Sequence, residues 1–281
     1  MTRKPWGSRQ LTLGFLNFPD LHPADLVAVA GEAGYGTVGV RITGRRPADP
    51  YPPVLADKAA IAEILRRADD AGLRISNISS YHLYPDIDRD TLKPVLETSA
   101  ALGASSLVAA RYDPDPARFH DFLAAFAERA STYGIRLAYE FVPFSKAPAL
   151  ADAREALQLV SATNFGLMLD PLHLARSGGD PANLADLDPE RIFIVQICDA
   201  SAQKRPDLEL PEEARTARVF PGEGGLPLGR FLDAMPDTAE IELEMPHAGY
   251  AHLPHVERAR LMRAVSQAYF AGFDAARQPE R

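Results

Sequence analysis

The chain has 281 residues, of which 46% are hydrophobic and 24% charged, so it can bury one large core and does not have the composition of a disordered segment. Its 38 acidic and 30 basic residues give a net charge of -8, the wrong sign for affinity that comes from neutralising nucleic-acid phosphates. No apolar run approaches the roughly 20 residues of a membrane span, and no secretory signal is recognisable, which favours a cytoplasmic protein with neither membrane nor nucleic acid as a partner.

Taken in chain order, predicted strands and helices alternate along the whole sequence. The strands lie near residues 11–16, 37–42, 73–79, 105–110, 135–140, 165–170, 191–197 and 239–244. The helices lie near residues 23–33, 56–71, 88–102, 116–133, 149–162, 181–187, 227–235 and 254–277. Eight βα units of this length predict a single (β/α)8 TIM barrel, which forms one domain over residues 1–281.

The boundaries of these units carry local signals. Glycine follows the helical pattern and precedes a β-rich run at Gly34, Gly72, Gly103 and Gly134, as is typical of αβ loops. An Asp-Pro pair predicts a cap and first helical position at Asp115-Pro116, Asp180-Pro181 and Asp188-Pro189. Two helices have a clear apolar face, one formed by Ile61, Ile64, Leu65 and Ala68 and the other by Phe119, Phe122, Leu123 and Phe126.

Four predicted strands end on a residue with an oxygen ligand for a hard metal ion: Glu140, Asp170, Gln196 and Glu244. A parallel barrel brings the carboxyl ends of its strands to one mouth, and side chains alternate between its two faces. The apolar pattern then places Asp170 inward together with Gly166 and Met168. The same reasoning places Gln196 inward together with Ile192 and Ile194.

The eighth strand leaves an ambiguity, because Glu240, Glu242 and Glu244 have the same parity. We choose Glu244 as the ligand, since it lies nearest the carboxyl end, while Glu242 stays open as the alternative. A deeper Glu242 would be costly without a partner. We therefore predict either a salt bridge between Glu242 and Arg136 or a strongly raised pKa for Glu242.

Other side chains are candidates for substrate contacts or proton transfer. His173 follows Asp170 by three residues and either supports the ligands and moves a proton or simply bonds a loop carbonyl. His82 has a similar position after the third strand. Three arginines could bind an anionic substrate, namely Arg41, Arg111 and Arg218.

Other features have simpler interpretations. The charged loop near residues 200–218 is either a lid or a surface excursion, and the glycine-rich segments 178–179 and 222–225 are interpreted as tight turns. Cys198, the only cysteine, cannot form an intrachain disulfide and is interpreted as a small buried hydrophobe.

Segments 169–179, 195–200, 218–225 and 241–246 carry a resemblance to the xylose isomerase-like TIM-barrel superfamily, often described as sugar phosphate isomerases/epimerases. The resemblance implies one divalent metal held by Glu, Asp, His and Glu, which map onto Glu140, Asp170, Gln196 and Glu244. Gln196 departs from the usual histidine and is similar to the 3-dehydroshikimate dehydratases of the group. An amide oxygen is a hard donor, so the expected ion is Mn²⁺, Mg²⁺ or Co²⁺.

The resemblance implies an isomerase or epimerase acting on a small keto-sugar or cyclic polyol through a metal-stabilised enediolate. Glu140, Glu244 and His173 are the expected catalytic residues, and His82, Arg111 and Arg218 the expected substrate-binding residues. A 3-dehydroshikimate dehydratase-like lyase and an inactive barrel that binds a polyol or a protein stay as alternatives. An endonuclease IV-like enzyme is disfavoured by the acidic charge and the seven scattered histidines. The particular substrate and the oligomeric state stay open, and a homo-oligomer is compatible with the sequence.

Overall fold

The computed structural model describes residues 3–44, 54–87, 90 and 92–277. In this part of the chain, parallel strands close into a barrel in the order β1 to β8, with β8 paired to β1. Strands β1–β8 are Leu11–Leu13, Thr37–Val40, Arg74–Leu83, Ser106–Arg111, Arg136–Glu140, Phe165–Leu169, Ile192–Ile197 and Glu240–Leu243. The (β/α)8 TIM barrel predicted from the sequence is confirmed. That residues 1–281 form one domain stays a prediction.

Helices surround the barrel and connect its strands. In the described ranges, α1–α9 are Pro23–Glu32, Lys58–Ala71, Lys93–Ala101, Pro116–Ser131, Leu150–Leu159, Pro171–Arg176, Leu210–Thr216, Leu228–Ala234 and His255–Ala275. Part of the helix predicted near residues 88–102 lies outside the described residues. Among the helices that are described, none has the length and apolar character needed to cross a bilayer.

The glycines at the αβ junctions have the backbone conformation that the sequence predicts. Gly34, Gly72, Gly103 and Gly134 all adopt left-handed φ angles, between 63° and 80°. At Gly72 the backbone N–H bonds the carbonyls of Ala68 and Asp69, which closes the last turn of α2. A side chain with Cβ is strained in this conformation, which explains why each junction uses glycine.

The main core lies between the strands and the helices. Ile64 and Ala68 of α2 are buried there, and so are Phe119, Leu123 and Phe126 of α4, as the helical periodicity predicts. The remaining predicted positions, Ile61, Leu65 and Phe122, pack against this core at partial burial. Burial of such side chains contributes roughly 1.5–3 kcal/mol each, so these faces hold the helices on the barrel.

A second, smaller apolar cluster is separate from the main core and consists of Val108, Ala138, Met168, Phe193 and Ile194. The inward position predicted for Ile192 is wrong, because Ile192 packs in the main core and Phe193 takes the place in this cluster. The strand register shifts between β6 and β7 at Leu167 and Met168. A Cβ on Gly166 would lie 2.7 Å from the Phe193 ring, so glycine at this position makes room for the ring.

The sixth helix predicted near residues 181–187 is also placed incorrectly. Residues Pro181–Leu184 form only a short 3-10 turn, whereas helix α6 begins at Pro171, directly after Asp170. The Asp-Pro pair that predicts helix starts elsewhere is present here as well. Because Asp170 also continues the strand pattern of β6, the pair does not stand out in the sequence as the start of a helix.

Candidate active site

A pocket opens among the residues at the carboxyl ends of the strands, which is where active sites of parallel barrels lie. Seven of the candidate site residues named from the sequence line it: Arg41, His82, Glu140, His173, Gln196, Arg218 and Glu244. Asp170 joins them through contacts with Arg218 and His173. The structure therefore brings together side chains that are up to 203 positions apart in the chain, from Arg41 to Glu244.

Asp170 is fixed by the helix that it caps. Its Oδ1 accepts hydrogen bonds from the backbone N–H groups of Leu172 at 2.6 Å and His173 at 3.1 Å. Pro171 at the first helical position has no N–H to satisfy. The Asp-Pro-Leu-His sequence thus orients the carboxylate and starts the helix that carries His173.

His173, Glu140 and Asp170 form a compact group whose possible ligand atoms lie within 4.8 Å of one another. His173 Nε2 lies 3.8 Å from Glu140 Oε1 and 4.0 Å from Asp170 Oδ2. Burial lowers the pKa of His173 to about 4, although Asp170 opposes the shift. The imidazole is therefore neutral near pH 7, as a metal ligand or hydrogen-bonding group would require.

Arg218 joins two of the carboxylates. Its Nη1 lies 2.5 Å from Asp170 Oδ2, and its Nη2 lies 3.2 Å from Glu244 Oε2. Its Nε donates to the carbonyl of Ala214 at 2.8 Å. Burial alone would raise the pKa of Asp170, but the charge of Arg218 holds it below its ordinary value. The guanidinium is thus committed to the protein's own carboxylates.

The pKa values of Glu140 and Glu244 shift upward, in the opposite direction from that of Asp170. Burial raises the pKa of Glu140 well above its ordinary value, and the charges of Glu244 and Asp170 raise it further. Burial also raises the pKa of Glu244 to about 7, with Arg218 opposing the shift. These acidic groups repel one another in a poorly solvated site, which a bound cation would relieve.

Gln196 lies between this group and the interior of the barrel. Its Nε2 donates to Glu242 Oε1 at 2.9 Å, while its Oε1 is buried and accepts no hydrogen bond from the described residues. Glu242 also accepts from Asn77, and burial raises its pKa to about 8. The raised pKa agrees with the prediction, whereas Arg136 lies over the Phe193 ring at 4.8 Å instead of pairing with Glu242.

The donor set fits a divalent cation. Glu140 and Glu244 provide carboxylate oxygens, Asp170 retains lone pairs beyond its contacts, and the buried Gln196 Oε1 accepts no bond among the residues described. Oxygen donors of this kind suit hard ions, and His173 adds a nitrogen within the same group. The wider set also includes a cation of the protein itself, since Arg218 contacts two of its members.

The opposite wall of the pocket combines the predicted candidates His82 and Arg41 with Ser79 and Tyr112, which the sequence analysis missed. His82 stacks on Tyr112 with ring centroids 4.2 Å apart and an interplanar angle of 14°. Arg41 lies over the Phe15 ring at 4.2 Å and lines the pocket together with Ser79. Tyr112 directly follows the last residue of β4, so its position at a strand end was the available signal.

Arg111 does not reach the pocket, which corrects its assignment to substrate binding. Its Nε donates to the carbonyl of Asp113 at 2.7 Å, and its guanidinium lies 5.5 Å from the centre of the Phe119 ring in α4. The side chain therefore packs against the surrounding helix layer. Parity along β4 decides this direction, because the neighbouring Ala110 lines the pocket.

The loop near residues 200–218 contributes to the pocket through Ala214 and Arg215. Its helix α7 is held to α6 by a two-point pair in which Arg176 Nε and Nη2 lie 2.8 and 2.7 Å from the Glu213 carboxylate. Both side chains are buried, at 5% and 1% exposure. Of the two interpretations of this loop, coverage of the mouth agrees better with these contacts than a solvated surface excursion.

A family model described as xylose isomerase-like TIM barrel matches residues 27–265. Among characterised relatives, a 3-dehydroshikimate dehydratase of Pseudomonas aeruginosa is 37% identical over 128 residues, which cover 45% of this chain and 20% of the relative. An inosose isomerase of Bacillus subtilis is 30% identical over 133 residues, which cover 45% of this chain and 46% of the relative. The chain thus spans less than half of the length of these two relatives.

Solved structures have the same fold. The protein IolI, crystallised with a zinc atom, superposes with a TM-score of 0.77 at 20% identity, covering 94% of this chain and 99% of that one. A probable 3-dehydroshikimate dehydratase, AsbF, from Bacillus anthracis superposes with a TM-score of 0.69 at 15% identity, covering 93% and 97%. At these identities the likeness establishes the fold alone.

Proposed function

Because the chain belongs to the xylose isomerase-like TIM barrel family, whose relatives named above include an isomerase and a dehydratase, we propose that it is a divalent-metal-dependent isomerase or epimerase of a small polyhydroxy ketone. One observation carries the proposal. Three buried carboxylates and the acceptor Oε1 of Gln196 converge on one pocket at the carboxyl ends of the strands.

In this proposal, Glu140, Asp170, Gln196 and Glu244 hold the ion, with Mn²⁺, Mg²⁺ and Co²⁺ as the expected choices. When bound, the ion would polarise the substrate carbonyl and the neighbouring hydroxyl, which acidifies the carbon between them. It also offsets the repulsion that raises the pKa values of Glu140 and Glu244. The protein's own residues then move the protons.

Glu140 and Glu244 are the candidate proton acceptors, because both face the pocket and both have raised pKa values. The neutral His173 lies 3.8 Å from Glu140 and can orient that carboxylate or donate to a substrate oxygen. His82 and Arg41 line the opposite wall and would bind the substrate's other hydroxyls. The lining residues Ala214 and Arg215 would limit the access of water.

A dehydratase outcome is the second candidate, and two observations favour it. Gln196 stands where the resemblance expects histidine, and the dehydratase of Pseudomonas aeruginosa is 37% identical over the matched segment, above the 30% of the inosose isomerase. Both reactions begin with removal of a proton next to a carbonyl. They differ in whether the proton returns or a β-hydroxyl leaves.

The test separates the shared step from the outcome. Chelator-treated protein is supplied with Mn²⁺, Mg²⁺ or Co²⁺ in deuterated water and with an inosose, small keto-sugars or 3-dehydroshikimate. Deuterium incorporation next to the carbonyl, measured by NMR, reports proton removal, and a conjugated product that absorbs in the ultraviolet reports dehydration. The expected result is metal-dependent incorporation that Glu140→Gln lowers at least about 100-fold.

Glu128→Gln, at an exposed position on α4, is the matched control and should keep full exchange activity. Metal-dependent exchange without ultraviolet absorption supports the isomerase or epimerase, and absorption supports the dehydratase. Protein that binds no divalent ion and catalyses no exchange with any of these substrates would contradict both reactions. That result would favour an inactive barrel that binds a polyol or a protein.

A further inference from the structure

Glu242 is a buried carboxylate for which the proposed chemistry has no use. It has 0% exposure and lies one inward position deeper on β8 than Glu244. A carboxylate in such a place is costly unless the surrounding structure is arranged to hold it. The contacts around Glu242 therefore indicate what it does.

Two glycines make space for this side chain. A Cβ on Gly39 would lie 2.7 Å from Glu242 Oε2, and a Cβ on Gly14 would lie 3.1 Å from its Cγ. A contact of 2.7 Å essentially never occurs at a real Cβ, and 3.1 Å is tighter than most, so a larger residue at Gly39 on β2 or at Gly14 after β1 would force the Glu242 side chain to shift. The space for Glu242 therefore depends on glycine at the end of β1 and in β2.

Two amide groups hold the carboxylate oxygens. Asn77 Nδ2 donates to Glu242 Oε2 at 2.6 Å, and Gln196 Nε2 donates to Oε1 at 2.9 Å. Asn77 is fixed in turn, because its Oδ1 accepts from Ser79 at 2.7 Å. The two oxygens of Glu242 thus have different partners, one structural and one at the candidate metal site.

A primary amide has a donor end and an acceptor end. Since the donor end of Gln196 bonds Glu242, its acceptor Oε1 is directed elsewhere, and no described residue bonds that oxygen. When Glu242 is ionised, the form that a nearby cation favours, a reversed amide would place an oxygen against the carboxylate and bring two acceptors together. Glu242 therefore favours one of the two orientations of the Gln196 side chain, and the hydrogen bond from Gln196 that opposes the raised pKa of Glu244 favours the same one.

We infer that Glu242 is a positioning residue that turns the Gln196 amide oxygen toward the divalent cation. The inference rests on the proposed function, because it requires a cation at this site. It assigns the Glu242 and Asn77 pair to the support of a glutamine ligand. Outer partners of this kind orient the groups that contact the metal, and their loss typically weakens metal affinity 10- to 100-fold.

The test measures Mn²⁺ binding by calorimetry on chelator-treated protein, so its readout does not depend on turnover. Glu242→Gln keeps the shape but can accept or donate, and it should weaken Mn²⁺ binding about 10- to 100-fold. Glu240→Gln, the same change two residues earlier on β8, should alter binding less than about twofold, since Glu240 bonds Thr12 and Ser76 and makes only a long 3.3 Å bond with Asn77, so that the Glu242–Gln196 bond stays in place.

A double-mutant cycle identifies the route of the effect. Gln196→Ala removes the ligand, so Glu242→Gln added to Gln196→Ala should weaken Mn²⁺ binding little further. Full additivity of the two changes would overturn the positioning role. If the wild type binds Mn²⁺ and the Glu242→Gln and Glu240→Gln variants have equal affinities for it, this inference alone is overturned. If the wild type does not bind Mn²⁺, the proposed function is overturned as well.

A measurement on the wild-type chain covers the case in which Glu242→Gln does not fold. The side-chain NH₂ signals of Gln196, assigned by their absence in Gln196→Ala, should exchange slowly with solvent both without metal and with Mg²⁺. Slow exchange in both states is expected for an amide held by Glu242. Rapid exchange in the metal-loaded protein would overturn the inference.

Discussion

The late strands and the early strands of the barrel contribute different chemistry to the same pocket. The strands of the late half, β5–β8, carry three carboxylates and one amide at or next to their carboxyl ends: Glu140, Asp170, Gln196 and Glu244. The early half contributes cationic, aromatic and hydroxyl groups, among them Arg41, Ser79, His82 and Tyr112. A molecule bound between them would meet a cation site on one side and a hydrogen-bonding wall on the other.

The two halves also differ in how their charges are balanced. In the late half, burial and mutual repulsion raise the pKa values of Glu140 and Glu244, and Arg218 offsets only part of that repulsion. In the early half, Arg41 lies over an aromatic ring and His82 stacks on another. The comparison teaches that the late half is built for an ion and the early half for orienting a substrate.

The largest expected effect comes from removing the only cation that contacts both Asp170 and Glu244 in the described part of the chain. Arg218→Met leaves these buried carboxylates without the guanidinium that balances their charge, so the metal-free protein should lose about 3–5 kcal/mol of unfolding free energy. Urea denaturation measures the change. Arg277→Met, which breaks an exposed pair with Asp233, is the control and should cost less than about 1 kcal/mol. Equal losses would contradict the balance described for the late half.

The late half should also give the metal-free protein a characteristic pH dependence. The unfolded chain loses these glutamate protons near pH 4.5, but the folded chain holds them to about 7 at Glu244 and about 8 at Glu242. Their contribution to stability therefore falls as pH rises from about 4.5 to 8. A divalent cation favours the ionised forms, so its increase of Tm should grow across this window.

His173 has the opposite effect on the pH dependence of stability. Its pKa of about 4 in the folded protein lies below its ordinary value of 6.5, so its contribution to stability falls as pH drops from 6.5 toward 4. Thermal unfolding from pH 4 to 8 in wild type, Glu244→Gln and His173→Gln separates the contributions. Glu244→Gln should flatten the slope above pH 5, and an unchanged slope would contradict the assigned cause.

A smaller effect is expected when the early half is changed. His82→Ala should raise KM about tenfold, equivalent to about 1.4 kcal/mol, because it removes a wall of the pocket without touching the cation donors. Mn²⁺ affinity should stay within about twofold of the wild type. If His82→Ala weakened Mn²⁺ binding as strongly as Glu140→Gln does, the division of roles between the two halves would be wrong.

The smallest effect on catalysis is expected at Arg111, which lies on an early strand but points away from the pocket. Arg111→Met should leave KM within about twofold of the wild type and cost about 1–2 kcal/mol of stability through its lost hydrogen bonds to Asp113 and Pro114. Steady-state kinetics and urea denaturation give the two values. A large rise in KM would return Arg111 to the substrate-binding set.

Local signals explain why much of the fold could be predicted. The junction glycines, the helical periodicity and the strand-end polar residues depend on backbone geometry within a few positions, which neighbouring residues specify. The sixth helix was misplaced because Asp170 carries two such signals at once, as a strand end and as the cap of α6. Ile192 was misplaced because a register shift between strands leaves no mark in local alternation.

By itself, the sequence determined the barrel, its order of units and the chemistry available at the ends of its late strands. Only the tertiary structure decided which of these groups meet, because contacts across the barrel depend on strand register and on the direction of each side chain. It turned Arg111 outward, committed Arg218 to two carboxylates and placed Glu242 behind Gln196. Residues far apart along a chain have no local means of fixing their separation in space.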